Sequence, residues 1–162
     1  MNRILTVALA ATAFVATPAM AQDAAPDSSF TGPRIGGNLG IADDDLFGTA
    51  DFTYGAEVGY DMAAGGAILG LSAEIQASDD IDRELALTAR AGARVGNHGL
   101  LYVTGGYSNV RAYGINLDGF RLGVGAEVGL GTKGFVKFEQ RYGNYEYGVE
   151  LYQTVMGAGI RF

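Results

Sequence analysis

From Phe30 to the end of the chain, apolar residues alternate with polar residues or glycine, and this period of two limits the possible folds more than any other feature. Residues 120–130 show it most clearly, since Phe, Leu, Val, Ala, Val and Leu occupy every second position and Arg, Gly, Gly, Glu and Gly stand between them. Segments 69–76 and 84–95 repeat the pattern. A helix would not sort residues in this way, so the sequence predicts strands.

Counting such segments predicts eight strands, at 31–41, 52–61, 67–77, 83–95, 100–110, 119–130, 135–143 and 148–162. Short breaks at 62–66, 96–99 and 131–134 alternate with longer ones at 42–51 and 111–118, although 78–82 and 144–147 are short where a longer loop is expected. An even strand number with short turns at one end and longer loops at the other is typical of bacterial membrane barrels.

The two faces of the predicted strands differ in charge, which indicates which face points inward. The apolar face carries almost no charge, as a lipid-facing surface requires. The other face carries both signs among many glycines, and glycine leaves room for long paired side chains in a narrow barrel. The predicted lumen charges are Arg34, Glu57, Glu74, Arg90, Arg94, Arg121, Glu127, Lys137, Glu139, Arg141 and Arg161. The predicted fold is therefore all-β, a closed antiparallel eight-stranded transmembrane barrel.

Several aromatic residues fall near the ends of the predicted strands, where membrane barrels carry two interfacial girdles. Aromatic residues are also common in strands of any kind, so the alternative interpretation is that these residues are ordinary strand formers. The residues concerned are Phe52, Tyr54, Tyr60, Tyr102, Tyr107, Tyr142, Tyr145 and Tyr147.

Residues 1–21 have the pattern of a cleavable signal peptide, with Arg3 before an apolar run of about 12 residues and small residues at the exit. We expect residues 22–29 to form a short flexible periplasmic leader, and residues 30–162 to form one barrel domain. Without Arg3 the exported chain has ten basic and eighteen acidic residues, so nucleic acid is not expected as a partner. The chain has no cysteine, which excludes thiolate metal sites, and no cofactor or metal site is predicted.

Three segments resemble bacterial outer-membrane barrels of eight strands, the OmpA/OmpX-like and opacity/porin-like group: residues 30–40, 136–142 and 155–162. Residues 30–40 resemble the first strand of that group and 136–142 its penultimate strand. The last segment resembles its C-terminal assembly signal. The resemblance implies location in the outer membrane, contact with its lipid, and recognition of Ala158, Ile160 and Phe162 by the barrel-insertion machinery.

A barrel of this kind is compatible with three classes of function. The lumen charges predict a salt-bridge plug, with a narrow polar path gated by alternative pairings as the other possibility, so we expect a structural or weakly porin-like protein. An enzyme is not expected, because the one histidine, His98, lies in a predicted turn on the periplasmic side. Surface binding or adhesion through external loops is the alternative function. Two of those loops are acidic, with Asp43, Asp44, Asp45, Asp79, Asp80 and Asp82.

Overall fold

The computed structural model describes residues 30–44, 50–78, 81–112 and 114–162. Its strands are β1 (Gly32–Asp44), β2 (Ala50–Ala64), β3 (Ala67–Ser78), β4 (Arg83–Val95), β5 (Gly99–Ala112), β6 (Ile115–Leu130), β7 (Gly134–Tyr145) and β8 (Glu150–Arg161). A 3₁₀ turn, Glu146–Gly148, precedes β8. The predicted signal peptide, the leader, and Asp45, Asp79 and Asp80 lie outside the described residues.

Every strand pairs antiparallel with its neighbours in sequence, and β1 also pairs with β8, so the sheet closes on itself. Gly37 of β1, for example, stands opposite Ala56 of β2 on one side and Ala158 of β8 on the other. Closure leaves no strand edge without hydrogen bonds, which a sheet in lipid requires. The predicted all-β, eight-stranded closed barrel is confirmed.

Residues that alternate between apolar and polar along each strand alternate between exposed and buried in the barrel. Large apolar side chains point out of the barrel, and Leu71 and Leu87 are 62% and 61% exposed. Charged side chains on the same strands point inward, and Glu74 and Arg90 are buried. The usual arrangement of a soluble protein is therefore inverted. In the part of the chain that the structure describes, no helix is long and apolar enough to span a membrane.

The connections between strands lie at two ends of the barrel, the terminal end and the loop end. The terminal end holds the start of β1, the end of β8 and the turns at 65–66, 96–98 and 131–133. The loop end holds the ends of β1, β3, β5 and β7 and the starts of β2, β4, β6 and β8, together with residues 81–82, 114 and 146–149.

The longer loop predicted at 111–118 is wrong, because β5 and β6 continue to Ala112 and Ile115. Asp118, which the sequence places in this loop, pairs across the ladder with Asn109 of β5. The carboxylate of Asp118 accepts hydrogen bonds from Tyr107 at 2.5 Å and from Asn109 at 2.6 Å.

The predicted aromatic girdles hold only in part. Phe52, Tyr54, Tyr60 and Tyr107 are exposed on the outer surface. Tyr142 is half-buried, and Tyr147 lies in the 3₁₀ turn.

Tyr102 and Tyr145 instead point inward and are each 4% exposed, so their assignment to the girdles is wrong. A tyrosine has an apolar ring and a polar hydroxyl group, and buried hydroxyl groups find hydrogen-bond partners. Both hydroxyl groups donate to buried carboxylates in the lumen.

Candidate functional site

The interior of the barrel holds equal numbers of buried acidic and basic side chains among the residues described. The basic members are Arg34, Arg90, Arg121, Lys137, Arg141 and Arg161, and the acidic members are Glu57, Asp61, Glu74, Glu84, Glu127 and Glu139. Arg94, which the sequence also places in the lumen, is half-buried near the terminal end of β4. Asp61 and Glu84 are absent from the predicted set. Their salt bridges divide these twelve groups into two networks.

Asp61 is the centre of the network nearer the terminal end. Its carboxylate pairs with three guanidinium groups, those of Arg34 at 3.1 Å, Arg90 at 2.7 Å and Arg161 at 2.7 Å. Arg90 and Arg161 both also pair with Glu127. One buried carboxylate is thus shared by side chains from β1, β4 and β8, which ties three strands to β2.

Glu57 completes this terminal-end network. Its two carboxylate oxygens bind Arg34 at 2.5 Å and Lys137 at 2.7 Å. With four basic and three acidic members, the network carries a formal charge of about +1.

The loop-end network is built on an ion pair that crosses the lumen. Arg141 of β7 donates two hydrogen bonds to Glu74 of β3, at 2.6 and 2.9 Å, in bidentate geometry. These strands stand four positions apart in a closed ring of eight, so they are diametrically opposite. Arg141 also pairs with Glu139 at 2.7 Å, and Arg121 with Glu74 at 3.3 Å.

Glu84 is the other centre of the loop-end network. It pairs with Arg121 at 3.1 Å and also accepts hydrogen bonds from three uncharged donors, Ser108 at 2.7 Å, Tyr145 at 3.2 Å and Gln153 at 3.1 Å. This network has two basic and three acidic members, so its formal charge is about −1. The opposite net charges of the two networks balance.

Tyr102 joins the two networks. Its hydroxyl donates to Glu139 of the loop-end network at 2.9 Å, and the guanidinium of Arg90, from the terminal-end network, lies 5.1 Å from the ring centroid. The ring fits because its partner across the ladder is Gly125, where a Cβ atom would come within 2.6 Å of it. Glycine leaves similar room at Gly59, where a Cβ would lie 3.0 Å from Arg34 Nε.

A cavity of about 10 Å³ lies between the two networks. That volume is close to the minimum that one water molecule needs. Charged members of both networks line it, including Glu57 and Arg90 from one and Glu74 and Arg141 from the other. The side chains around this cavity therefore leave room for about one water molecule.

The other candidate residues are spread over the molecule. His98 is exposed in the turn at the terminal end, on the side opposite the 79–82 and 146–149 connections. Asp43 and Asp82 are exposed at the loop end, and the structure does not describe the side chain of Asp44. Among the described residues, no three histidine, cysteine or carboxylate groups meet as a metal site would require.

Ala158, Ile160 and Phe162 lie on the outer face at the terminal end, and Phe162 is 67% exposed. The backbone N–H of Phe162 donates to the carbonyl of Pro33 at 3.0 Å, which holds the last residue against the start of β1.

A closed antiparallel barrel with an apolar outer surface and a charged interior defines the class of outer-membrane β-barrel proteins. The family model described as the outer membrane protein beta-barrel domain matches residues 7–162, and the chain belongs to this family. The predicted outer-membrane location is confirmed with it. No curated protein sequence matches the chain significantly.

Solved structures with similar folds have different roles. The N-terminal barrel domain of Pseudomonas aeruginosa OprF is 16% identical with a TM-score of 0.60, over 82% of this chain and 99% of that one. Ail, the attachment invasion locus protein of Yersinia pestis, is 17% identical with a TM-score of 0.55, over 82% and 97%. The outer membrane enzyme PagL is 11% identical with a TM-score of 0.56, over 78% and 99%. At these identities the likeness establishes the fold and leaves the activity open.

Proposed function

We propose that this protein is a structural barrel of the outer membrane that conducts little or nothing and performs no enzymatic step. Its lumen charges act as a plug that also fastens strands to one another. The terminal end faces the periplasm, after removal of residues 1–21, and Ala158, Ile160 and Phe162 present the assembly signal there to the insertion machinery.

The bidentate pair between Arg141 and Glu74 carries this proposal. It joins opposite walls of the barrel, and both side chains are almost completely buried. Separating the pair leaves Glu74 with Arg121 and Arg141 with Glu139, but it gives up two buried charged hydrogen bonds of about 1.5–3 kcal/mol each. A solute path along the axis would have to separate this pair, so the resting barrel is closed.

Short connections favour a structural role over surface binding. Only residues 113 and 114 join β5 to β6, and four residues join β3 to β4 and β7 to β8. Recognition by a barrel protein is usually carried by its loops, and connections this short offer little surface.

The test is single-channel conductance in a planar bilayer, with the wild-type chain beside two paired variants. Glu74→Ala with Arg141→Ala removes the pair that crosses the lumen. Ser72→Ala with Thr88→Ala is the matched control, since it removes a buried hydrogen-bonded pair between adjacent strands beside the same cavity and leaves every ion pair in place. We expect no resolved steps from the wild type or the control, and small steps from the first variant.

Folding of each sample is checked by its heat-dependent shift in gel mobility. Steady conductance by folded wild-type protein would contradict the plug and favour the weakly porin-like function.

A further inference from the structure

Two polar side chains interrupt the apolar outer surface, Gln140 on β7 and Thr154 on β8. Both point outward and stand directly opposite each other in the ladder. Each has outward apolar or aromatic residues on both sides along its own strand: Phe138 and Tyr142 for Gln140, Tyr152 and Met156 for Thr154. Among the strand residues that the structure describes, the other outward charged and amide side chains lie within four residues of a strand end.

The position of Gln140 along β7 places it within the lipid-facing band. It stands six residues from Gly134, the terminal-end start of the strand. At about 3.3 Å per residue and a tilt of about 40°, that is a height of about 15 Å, inside an apolar band about 25 Å tall. Water is scarce at that depth, so a polar group there depends on protein partners.

The hydrogen bonds between the two residues leave part of the Gln140 amide unused. Gln140 Nε2 donates to Thr154 Oγ1 at 2.8 Å, and Thr154 Oγ1 donates back to Gln140 Oε1 at 3.1 Å. A glutamine amide has two N–H donors and two acceptor lone pairs. One donor and one lone pair therefore remain directed at lipid tails, which cannot hydrogen-bond.

We propose that a second copy of this chain binds at the β7–β8 face and pairs with Gln140. Two copies inserted in the same orientation are related by a twofold axis along the membrane normal, which keeps every residue at its own depth. At that axis Gln140 meets Gln140 of the other copy. A side-chain amide is self-complementary, so each can donate its free N–H to the free carbonyl lone pair of the other.

A small residue beside Gln140 permits close approach at the axis. Ala126 of β6, on the strand next to β7, stands opposite Phe138 and is therefore two residues from Gln140 toward the terminal end. Its side chain points outward, because Ala126 alternates with the inward Glu127. Small residues let the backbones of membrane segments come close together. This inference does not depend on whether the lumen conducts.

Disulfide cross-linking tests the geometry, because the chain has no cysteine of its own. Ala126→Cys leaves the Gln140 amide in place and is compared with Ala91→Cys, which faces outward on β4 and, like Ala126, stands four residues from the terminal end of its strand. Both full-length variants are refolded into phosphatidylcholine vesicles and oxidised. We expect the yield of cross-linked dimer from Ala126→Cys to exceed that from Ala91→Cys by about tenfold. Equal yields, or an Ala126→Cys variant that stays monomeric as it would if lipid covered this face, would overturn the proposal.

The strength of the pairing is tested by sedimentation equilibrium in detergent micelles. Gln140→Leu keeps the size and removes the amide, and we expect its dimer dissociation constant to rise about tenfold, the effect of two hydrogen bonds of the modest strength found in membranes. Ala89→Leu is the control and should leave the constant unchanged, since Ala89 faces outward on β4 and also stands six residues from the terminal end of its strand. A wild-type chain that is monomeric at every concentration, or a Gln140→Leu variant that dimerises as well as wild type, would refute it. Heat-dependent gel mobility verifies that each variant is folded.

Discussion

The two networks of the lumen satisfy their buried charges in different ways. In the terminal-end network Asp61 is surrounded by three guanidinium groups, so a positive excess is held by one carboxylate. In the loop-end network Glu84 has one guanidinium, that of Arg121, and three uncharged donors. The first arrangement depends on a balance of opposite charges. In the second, most of the hydrogen bonds to the carboxylate come from uncharged donors. The two ends of the lumen should therefore respond differently to the loss of one negative charge.

The largest effect is expected for Asp61→Asn. The substitution keeps the size of the side chain but leaves three guanidinium groups around a neutral amide whose N–H groups repel them. Uncompensated buried charges of this kind cost about 3–5 kcal/mol. The free energy of unfolding, measured by urea titration in lipid vesicles with circular dichroism, should fall by that amount.

Asp82→Asn is the control for this substitution, because Asp82 is an exposed acid at the loop end. It should leave the unfolding midpoint nearly unchanged. A loss for Asp61→Asn no greater than that of the control would mean that the terminal-end network does not depend on its central carboxylate.

Sequence patterning could predict the barrel because the alternation of residues is a direct consequence of strand geometry, and it placed most of the buried charges on the inner face. The same pattern also places Glu84 on the inner face, because it lies an even number of residues from Arg90 on β4. It places Asp61 there as well, because Asp61 lies an even number of residues from Glu57 on β2. Asp61 was missed because the predicted strand ended there, whereas β2 continues to Ala64.

Tyr102 was harder to place from sequence, for a physical reason. Alternation assigns a residue to a face by its polarity, and tyrosine has both kinds of surface. The deciding feature is space: Gly125 lies opposite Tyr102 on the next strand, and only the strand register brings the two together. Register, and with it the pairing of individual charges, depends on the closed barrel as a whole.

A smaller effect is expected for Glu84→Gln. The loop-end network has an acidic excess, so removing one negative charge brings its formal charge to about zero, and Arg121 keeps Glu74 as a partner. What is lost is the charged character of several hydrogen bonds, which costs about 1–3 kcal/mol. The same urea titration measures it. A loss equal to or larger than that of Asp61→Asn would reverse the comparison and make charge count less important than the number of bonds.

The smallest effect is expected for Tyr102→Phe, which tests whether the two networks are coupled. The variant keeps the ring beside Arg90 and removes only the hydroxyl that donates to Glu139, while Glu139 keeps Arg141 and Thr104 as donors. We expect a loss of about 1 kcal/mol, the usual net contribution of one hydrogen bond. Combined with Asp61→Asn, the two losses should add to within about 0.5 kcal/mol if the networks are energetically separate. A larger departure from additivity would show that Tyr102 transmits changes from one network to the other, and that the lumen is a single cooperative unit.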